Sequence, residues 1–322
     1  MKIFYRIKEG TVEIVRCFGT DPRIVLPERI DGKPVTRASA YAFSARKERE
    51  EEDVLVFESE DHGIFRDGEK LLAGEDVESV CFPDTMEEIG NYIFYGCRNL
   101  KSLKFSNRLT GIGSGAFTGC RALQKLDVRM VQGSRSCVKE ILGDLWQRID
   151  VRFASEDETG ECSEARLVFP EHYEEAVENT PARILFTQHH GSGNNYRQCF
   201  YDREMDYKKY DELFAVARVQ DRVDVLSDMA FGRLMYPFGL SDAARRAYEG
   251  YIREHVEPVA RYLTDTENME ALKEMSRRGL WQEAAMDAAI DYASVRGRRE
   301  VLGILMEERH RLFPVRKKKY EL

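Results

Sequence analysis

The chain has 322 residues, 43% of them hydrophobic and 33% charged, with a formal net charge of −8 and a pI near 5.5. That length holds two ordinary domains, and the composition is globular, which excludes a disordered or membrane-embedded body. The acidic balance argues against nucleic acid as the main ligand, because such a ligand favours a basic face.

Residues Met1 to Gly10 carry no apolar core of signal-peptide length, and no run of roughly 18 apolar residues occurs anywhere. The expected setting is the cytoplasm, with no membrane partner. Seven cysteines, with no CxxC and no Cys/His spacing suited to zinc, predict free thiols and no metal site.

In chain order, the first recognisable layout is Ile24-Val25-Leu26-Pro27, then Ile30 to Thr36, then Ala40-Tyr41-Ala42-Phe43. It recurs as VESVCFPDTMEEIGNYIFYGCRN from Val77 and as LKSLKFSNRLTGIGSGAFTGCRA from Leu100. An offset of 23 residues aligns Val77, Leu100 and Leu123, then Val80, Leu103 and Leu126, then Phe82, Phe105 and Val128. The same offset pairs Ile89 with Ile112, Gly90 with Gly113, Phe94 with Phe117 and Cys97 with Cys120. Alternate residues of a strand share one face, so the first three columns should enter a core that stacks from coil to coil. The Ile-Gly pair turns the chain, and the aromatic folds back under the strand. A cysteine recurring once per coil reads as a small buried hydrophobe.

These units closely resemble the leucine-rich repeats of the BspA type over about residues 10 to 128. The resemblance implies a solenoid that recognises proteins on its repeat surface; many relatives are surface-attached and adhesin-like, for which this chain shows no export signal. The spacing departs from the family between Phe43 and Phe94, which lie 51 residues apart, two periods plus five. That stretch holds the charge run ARKEREEED, expected as a solvated bulge, and a degenerate unit around DGEKLLAGEDVESV. Gly111-Ile112-Gly113-Ser114-Gly115-Ala116 matches a relaxed dinucleotide fingerprint, but its counterpart 23 residues earlier keeps one of the three positions. The repeat explains the glycines, and no cofactor is expected.

Past Val128 the repeat fades. Val138, Ile141, Leu142 and Leu145 fall at helical spacing, and IDVRF and ARLVF predict a hairpin that closes the open end of the solenoid. The stretch TQHHGSGNNYRQCF, residues 187–200, offers an alternative reading as a catalytic centre. Cys199 with His189 or His190 could form a thiolate–imidazolium pair of a cysteine-dependent hydrolase. No Walker A loop, HExxH or nucleophile elbow accompanies it. The plainer expectation is a strand, a Gly-Ser-Gly-Asn-Asn turn and a structural junction, with no catalytic residue.

From about Asp206 to Pro314 the apolar period becomes 3.6. Tyr210, Leu213, Phe214 and Ala217 form one stripe, and Val223, Leu226, Ala230 and Leu234 the next. Ser241 should cap a helix whose apolar face runs from Ala247 and Tyr248 to Leu263, and Pro258 should kink or split it. Shorter helices follow near Met269–Met275 and Ala284–Ala293, and a last one near Arg299–Glu308. The stretch AAIDYASVRGRREVLGILMEER resembles an ankyrin helix pair, without the family's T-P-L-H turn; armadillo-like or irregular packing fits the same pattern. The tail VRKKKYEL reads as a frayed basic end.

The expected fold is α+β: a leucine-rich-repeat solenoid over 1–135, a capping and junction segment over 136–200, and an all-α helical-repeat domain over 201–322. The expected function is that of a non-enzymatic interaction or scaffold protein with an unknown protein partner. The hydrolase and a surface adhesin are the alternatives.

Overall fold

Lys2–Lys8 (β1) and Thr11–Gly19 (β2) form an antiparallel hairpin turned at Glu9 and Gly10, both in the left-handed region at φ 51° and 79°. Arg23–Val25 (β3), Arg29–Ile30 (β4) and Lys33–Ala38 (β5) follow, and β5 pairs parallel with β2. The computed structural model describes residues 1–46, 53–58, 69–156, 159–179 and 184–314; at 177–179 and 184–189 it describes the backbone. The chain divides into two compact units, Met1–Tyr210 and Asp211–Leu322.

In the first unit the 23-residue offset becomes strand register. Ser79–Cys81 (β8), Ser102–Ser106 (β10) and Lys125–Met130 (β12) pair in parallel, with Val80 beside Leu103 and Leu103 beside Leu126. Leu55–Glu58 (β6) and Lys70–Leu71 (β7) precede them, and Glu88–Ile89 (β9) and Gly111–Ile112 (β11) alternate with them in a second sheet at the back of the coils. The inward columns are buried throughout, from Val77, Leu100 and Leu123 to Phe82, Phe105 and Val128. Phe43, Phe94 and Phe117 stack in one file at centroid separations of 5.4 and 5.8 Å. Cys97 and Cys120 lie beside them, each thiol facing a phenylalanine carbonyl of the preceding coil, Phe43 at 3.2 Å and Phe94 at 3.3 Å. Burial pushes Cys97 up to about 12 and Cys120 higher still, so both remain thiols at neutral pH.

The turn glycines answer to crowding. A Cβ on Gly90 would overlap the backbone of Ser39 and Ala40, and one on Gly113 would overlap Gly90 and Asn91. The coils are therefore in backbone contact at this corner. Polar side chains close the other gaps: the Asn107 carbonyl accepts from Val131 N at 2.8 Å, and Ser106 Oγ donates to Asp84 O at 2.9 Å.

The long spacing between Phe43 and Phe94 adds no coil in the stack. Phe43 packs directly on Phe94, and β3 pairs directly with β8, Ile24 beside Val80. Ahead of the coil that holds β8 and β9, the strands β6 and β7 join the hairpin instead, β6 on β1 and β7 on β2, both antiparallel. Residues 47–52 of the charge run, and the basic tail from 315, lie outside the described residues.

The repeat also persists beyond its sequence signal. Val138–Gly143 (α1) forms the back of a further coil whose strand, Ile149–Glu156 (β13), pairs parallel with β12. Here the offset is 25, with Val151 beside Leu126, so a search at 23 loses it. Cys162–Phe169 (β14) then runs antiparallel to β13 and closes the stack. The result is a solenoid of about five turns over residues 12–155. Tyr173–Asn179 (β15), which the sequence pattern does not announce, pairs with Ile184–His190 (β16) as a separate ribbon. Gly193–Arg197 (α2), Phe200–Tyr201 (β17) and Glu204–Met205 (β18) complete the unit.

The second unit is helical. After Tyr207–Glu212 (α3) come Phe214–Gln220 (α4), Val223–Met235 (α5), Asp242–Glu254 (α6), Val256–Asp265 (α7), Met269–Arg277 (α8), Glu283–Val295 (α9) and Arg299–Leu312 (α10). Ser241 Oγ accepts from Ala244 N at 3.2 Å and so caps α6. The chain breaks at His255, placing Pro258 in the first turn of α7, where its missing N–H is harmless. Ala247 is exposed, whereas Tyr248, Tyr251, Ile252, Val259 and Leu263 are buried. Helices α5, α7 and α9 pack in sequence, and α8 packs on α7 and α10. Asp211, buried, accepts from Arg233 Nε at 2.8 Å and Nη2 at 3.0 Å and from the Tyr248 hydroxyl at 2.8 Å.

Gly90→Ala and Gly113→Ala should each lower stability by about 2–3 kcal/mol, because the added methyl meets backbone that cannot withdraw. Gly143→Ala, with open space around it, should instead gain about 0.4–1 kcal/mol. Phe94→Ala should lose about 3–5 kcal/mol. Urea unfolding of the four variants beside the unaltered chain checks all four values, and equal stabilities for Gly90→Ala and Gly143→Ala would contradict the contact at the coil corner.

Candidate functional site

The segment 187–200 is assembled from the end of a ribbon and a short helix. β16 ends at His190, and in its register His189 sits beside Glu174 and His190 beside Tyr173. The His190 ring stacks on Tyr173 at 4.4 Å, and its Nε2 lies 3.3 Å from a Glu175 carboxylate oxygen. Gly191 then takes φ 77°, and a Cβ there would lie 2.6 Å from the Glu171 carbonyl. A Cβ on Gly193 would overlap the Pro170 carbonyl, so both glycines are required by close approach. Instead of the expected open turn, Gly193–Arg197 coils into α2, because Ser192 O accepts from Asn195 N and Tyr196 N. Cys199, just beyond it, is fully buried, with its sulfur 3.8 Å from the Asn195 carbonyl. The described face of His190 is thus toward Tyr173 and Glu175, and that of Cys199 toward the base of α2.

Arg197, in the middle of the same segment, organises it. Only 6% exposed, it donates from Nε to the Leu142 and Leu145 carbonyls, both at 3.1 Å. Nη1 reaches Pro170 O at 2.7 Å and Gly193 O at 3.1 Å, and Nη2 reaches Gln147 O at 2.9 Å. Its partners include carbonyls at and just past the C-terminus of α1, which lack intrahelical donors. Burial pushes the guanidinium down to about 10, which still leaves it cationic at neutral pH. All these partners belong to the first unit. The sequence offers no signal for this role, since a buried arginine paired only with carbonyls has no charge partner to betray it.

The outward strand positions of the solenoid form the other candidate surface. Val25, Cys81, Lys104, Asp127 and Arg152 follow one another across five parallel strands, and Arg23, Ser79, Ser102, Lys125 and Asp150 form a second row. Val25, Lys104 and Lys125 are exposed, and Ser79, Cys81 and Ser102 half-buried. Arg152 bonds Asp127 and Glu164, each at 2.9 Å. Burial raises the Glu164 carboxyl, but hydrogen bonds from Arg152 and Arg166 outweigh it and hold the group below its usual range. Among the described residues no group of His, Cys, Asp and Glu could hold a metal ion, and no helix is long and apolar enough to cross a membrane.

Thiol labelling of the native protein should modify Cys162 first, since it alone is exposed, with half-buried Cys81 slower and Cys199 protected until unfolding. Faster labelling of Cys199 than of Cys162 would contradict the packing around α2. Arg197→Met should lower stability by about 3–5 kcal/mol by removing its donors from five buried carbonyls, and chemical denaturation measures it. Raising the pH from about 9 toward 12 should weaken folding. The unfolded thiols ionise near 9, whereas burial pushes Cys17, Cys97 and Cys137 up to about 12. Denaturation of Cys97→Ala should show a shallower loss over that window.

Comparison with known proteins follows the same lines. Residues 68–137 match the family model described as the BspA type leucine rich repeat region. A leucine rich cell surface protein from Faecalibacterium prausnitzii A2-165 is similar at 22% identity and a TM-score of 0.27. That match covers 39% of this chain and spans 30% of the other. No curated protein matches. The coils built on β8, β10 and β12 lie within the stretch that matches the BspA type leucine rich repeat model, in a solenoid that a helical C-terminal region follows.

Proposed function

We propose that this is a non-enzymatic interaction or scaffold protein, which holds a protein partner on its repeat surfaces. The observation that carries this reading is the outward strand face: five successive coils present aligned side chains that the core does not use. The helix pairs α7/α8 and α9/α10 serve as a second, ankyrin-like surface. They are joined by short turns at Glu267 and Gly297, each in the left-handed region. Across these turns Asp265 accepts from Tyr292 at 2.8 Å and Arg296 at 3.0 Å, which fixes one pair against the next. Residues 136–200 act as cap and junction, and Cys199 is a packing residue within it. A cytoplasmic setting suits seven free cysteines, several of them deeply buried thiols.

The test is capture by the immobilised full chain from the native organism, followed by hydrogen exchange of the purified complex. Protection should fall on outward coil positions or on the helix-pair turns. The proposal fails if no partner is retained, if protection avoids both surfaces, or if the purified chain shows turnover that Cys199→Ser abolishes.

A further inference from the structure

Lys104 and Lys125 stand on adjacent strands of the solenoid face, and the register gives each an acidic neighbour, Asp127 beside Lys104 and Asp150 beside Lys125. Both carboxylates are engaged from elsewhere. Arg152 binds Asp127 at 2.9 Å, and Arg148 grips both oxygens of Asp150 at 2.8 and 3.1 Å. Among the described residues neither lysine has an ion pair. On their other flank the neighbours are small: Cys81 beside Lys104, Ser102 beside Lys125, and Ser79 beside Ser102. The coils thus present two exposed cations that enter no ion pair among the described residues, next to a low floor of serine and cysteine.

We propose that this face binds an extended acidic segment of a partner protein, with its carboxylates on Lys104 and Lys125. The assignment rests on the repeat-mediated binding proposed above and names the chemistry of its partner. Diagonal neighbours on adjacent strands lie roughly 7–8 Å apart. Alternate residues of an extended peptide recur at about 6.6–6.8 Å on one side, so acidic residues at every second position match the two ammonium groups. The small floor lets the peptide backbone approach, and exposed Val25 gives an apolar contact two strands from Lys104. A second copy of this chain is a poor occupant in general, because each copy carries a net charge of −8.

The experiment is fluorescence anisotropy with the full chain and a short labelled peptide of alternating Glu and Ser, with a Lys-Ser peptide and oligothymidylate as comparisons. The Glu-Ser peptide should bind, and binding should weaken as salt is added. Lys104→Glu/Lys125→Glu should bind it at least about tenfold more weakly. Lys104→Arg/Lys125→Arg, and Arg121→Glu outside this face, should bind as the unaltered chain does. The proposal is overturned if the unaltered chain ignores the Glu-Ser peptide or if the double reversal binds it equally. It is also overturned if the lysines instead confer tighter binding of oligothymidylate, which would make this a polyphosphate face. In the capture experiment, a partner fully retained by Lys104→Glu/Lys125→Glu removes this assignment and leaves repeat-mediated binding standing. Capture of nothing by the unaltered chain removes the reading beneath it.

Discussion

Backbone contact between successive coils is the constraint on which the first unit depends. At the corner after each back strand the chain passes so close to the preceding coil that Gly90 and Gly113 leave no room for a side chain. That contact fixes the register, and the register decides which residues meet. Valine and leucine align at the front, phenylalanine rings stack behind them, and each cysteine thiol reaches a carbonyl one coil back. A slip by one residue would turn the apolar column outward, so packing and register enforce each other.

A stack of this kind has open ends, and each end is closed differently. At the start, the β1–β2 hairpin and the segment between Phe43 and Phe94 build an antiparallel margin from β6 and β7. At the finish, a coil with a helix at its back is followed by the reversal into β14. At the end of α1 Arg197 donates to the Leu142 and Leu145 carbonyls. The Tyr210 hydroxyl does the same for β14, donating to Val168 O at 2.8 Å and accepting from Val168 N at 2.9 Å. Within TQHHGSGNNYRQCF two glycines pass close to carbonyls, Arg197 donates to others, and Cys199 is buried.

The helical unit relies on polar contacts of another kind. Arg233 is wholly buried, and its charge is met by Asp211, with Tyr248 on the same carboxylate. Such a cluster is a poor source of net stability but a strong source of specificity, because any other packing leaves a buried charge unmet. At the helix-pair turns, burial raises the Asp265 carboxyl while hydrogen bonds from Tyr292 and Arg296 lower it further than burial lifts it.

The repeat of Val80, Leu103 and Leu126, the phenylalanine file and the helical period after Asp206 were legible in the sequence, because each is a local pattern repeated at fixed spacing. So were Ser241 as a cap and Pro258 as a break, since both act through the backbone beside them. Four matters were decided only by the tertiary structure. The long spacing between Phe43 and Phe94 inserts no coil between the two rings, because β6 and β7 pair with the hairpin instead. A further coil follows Val128, hidden by a two-residue change of spacing that a helix absorbs. Arg197 became the centre of the cap, and Lys104 and Lys125 were left without an ion pair among the described residues, through neighbours distant in sequence. Those outcomes depend on which groups meet across coils, and no local pattern specifies that.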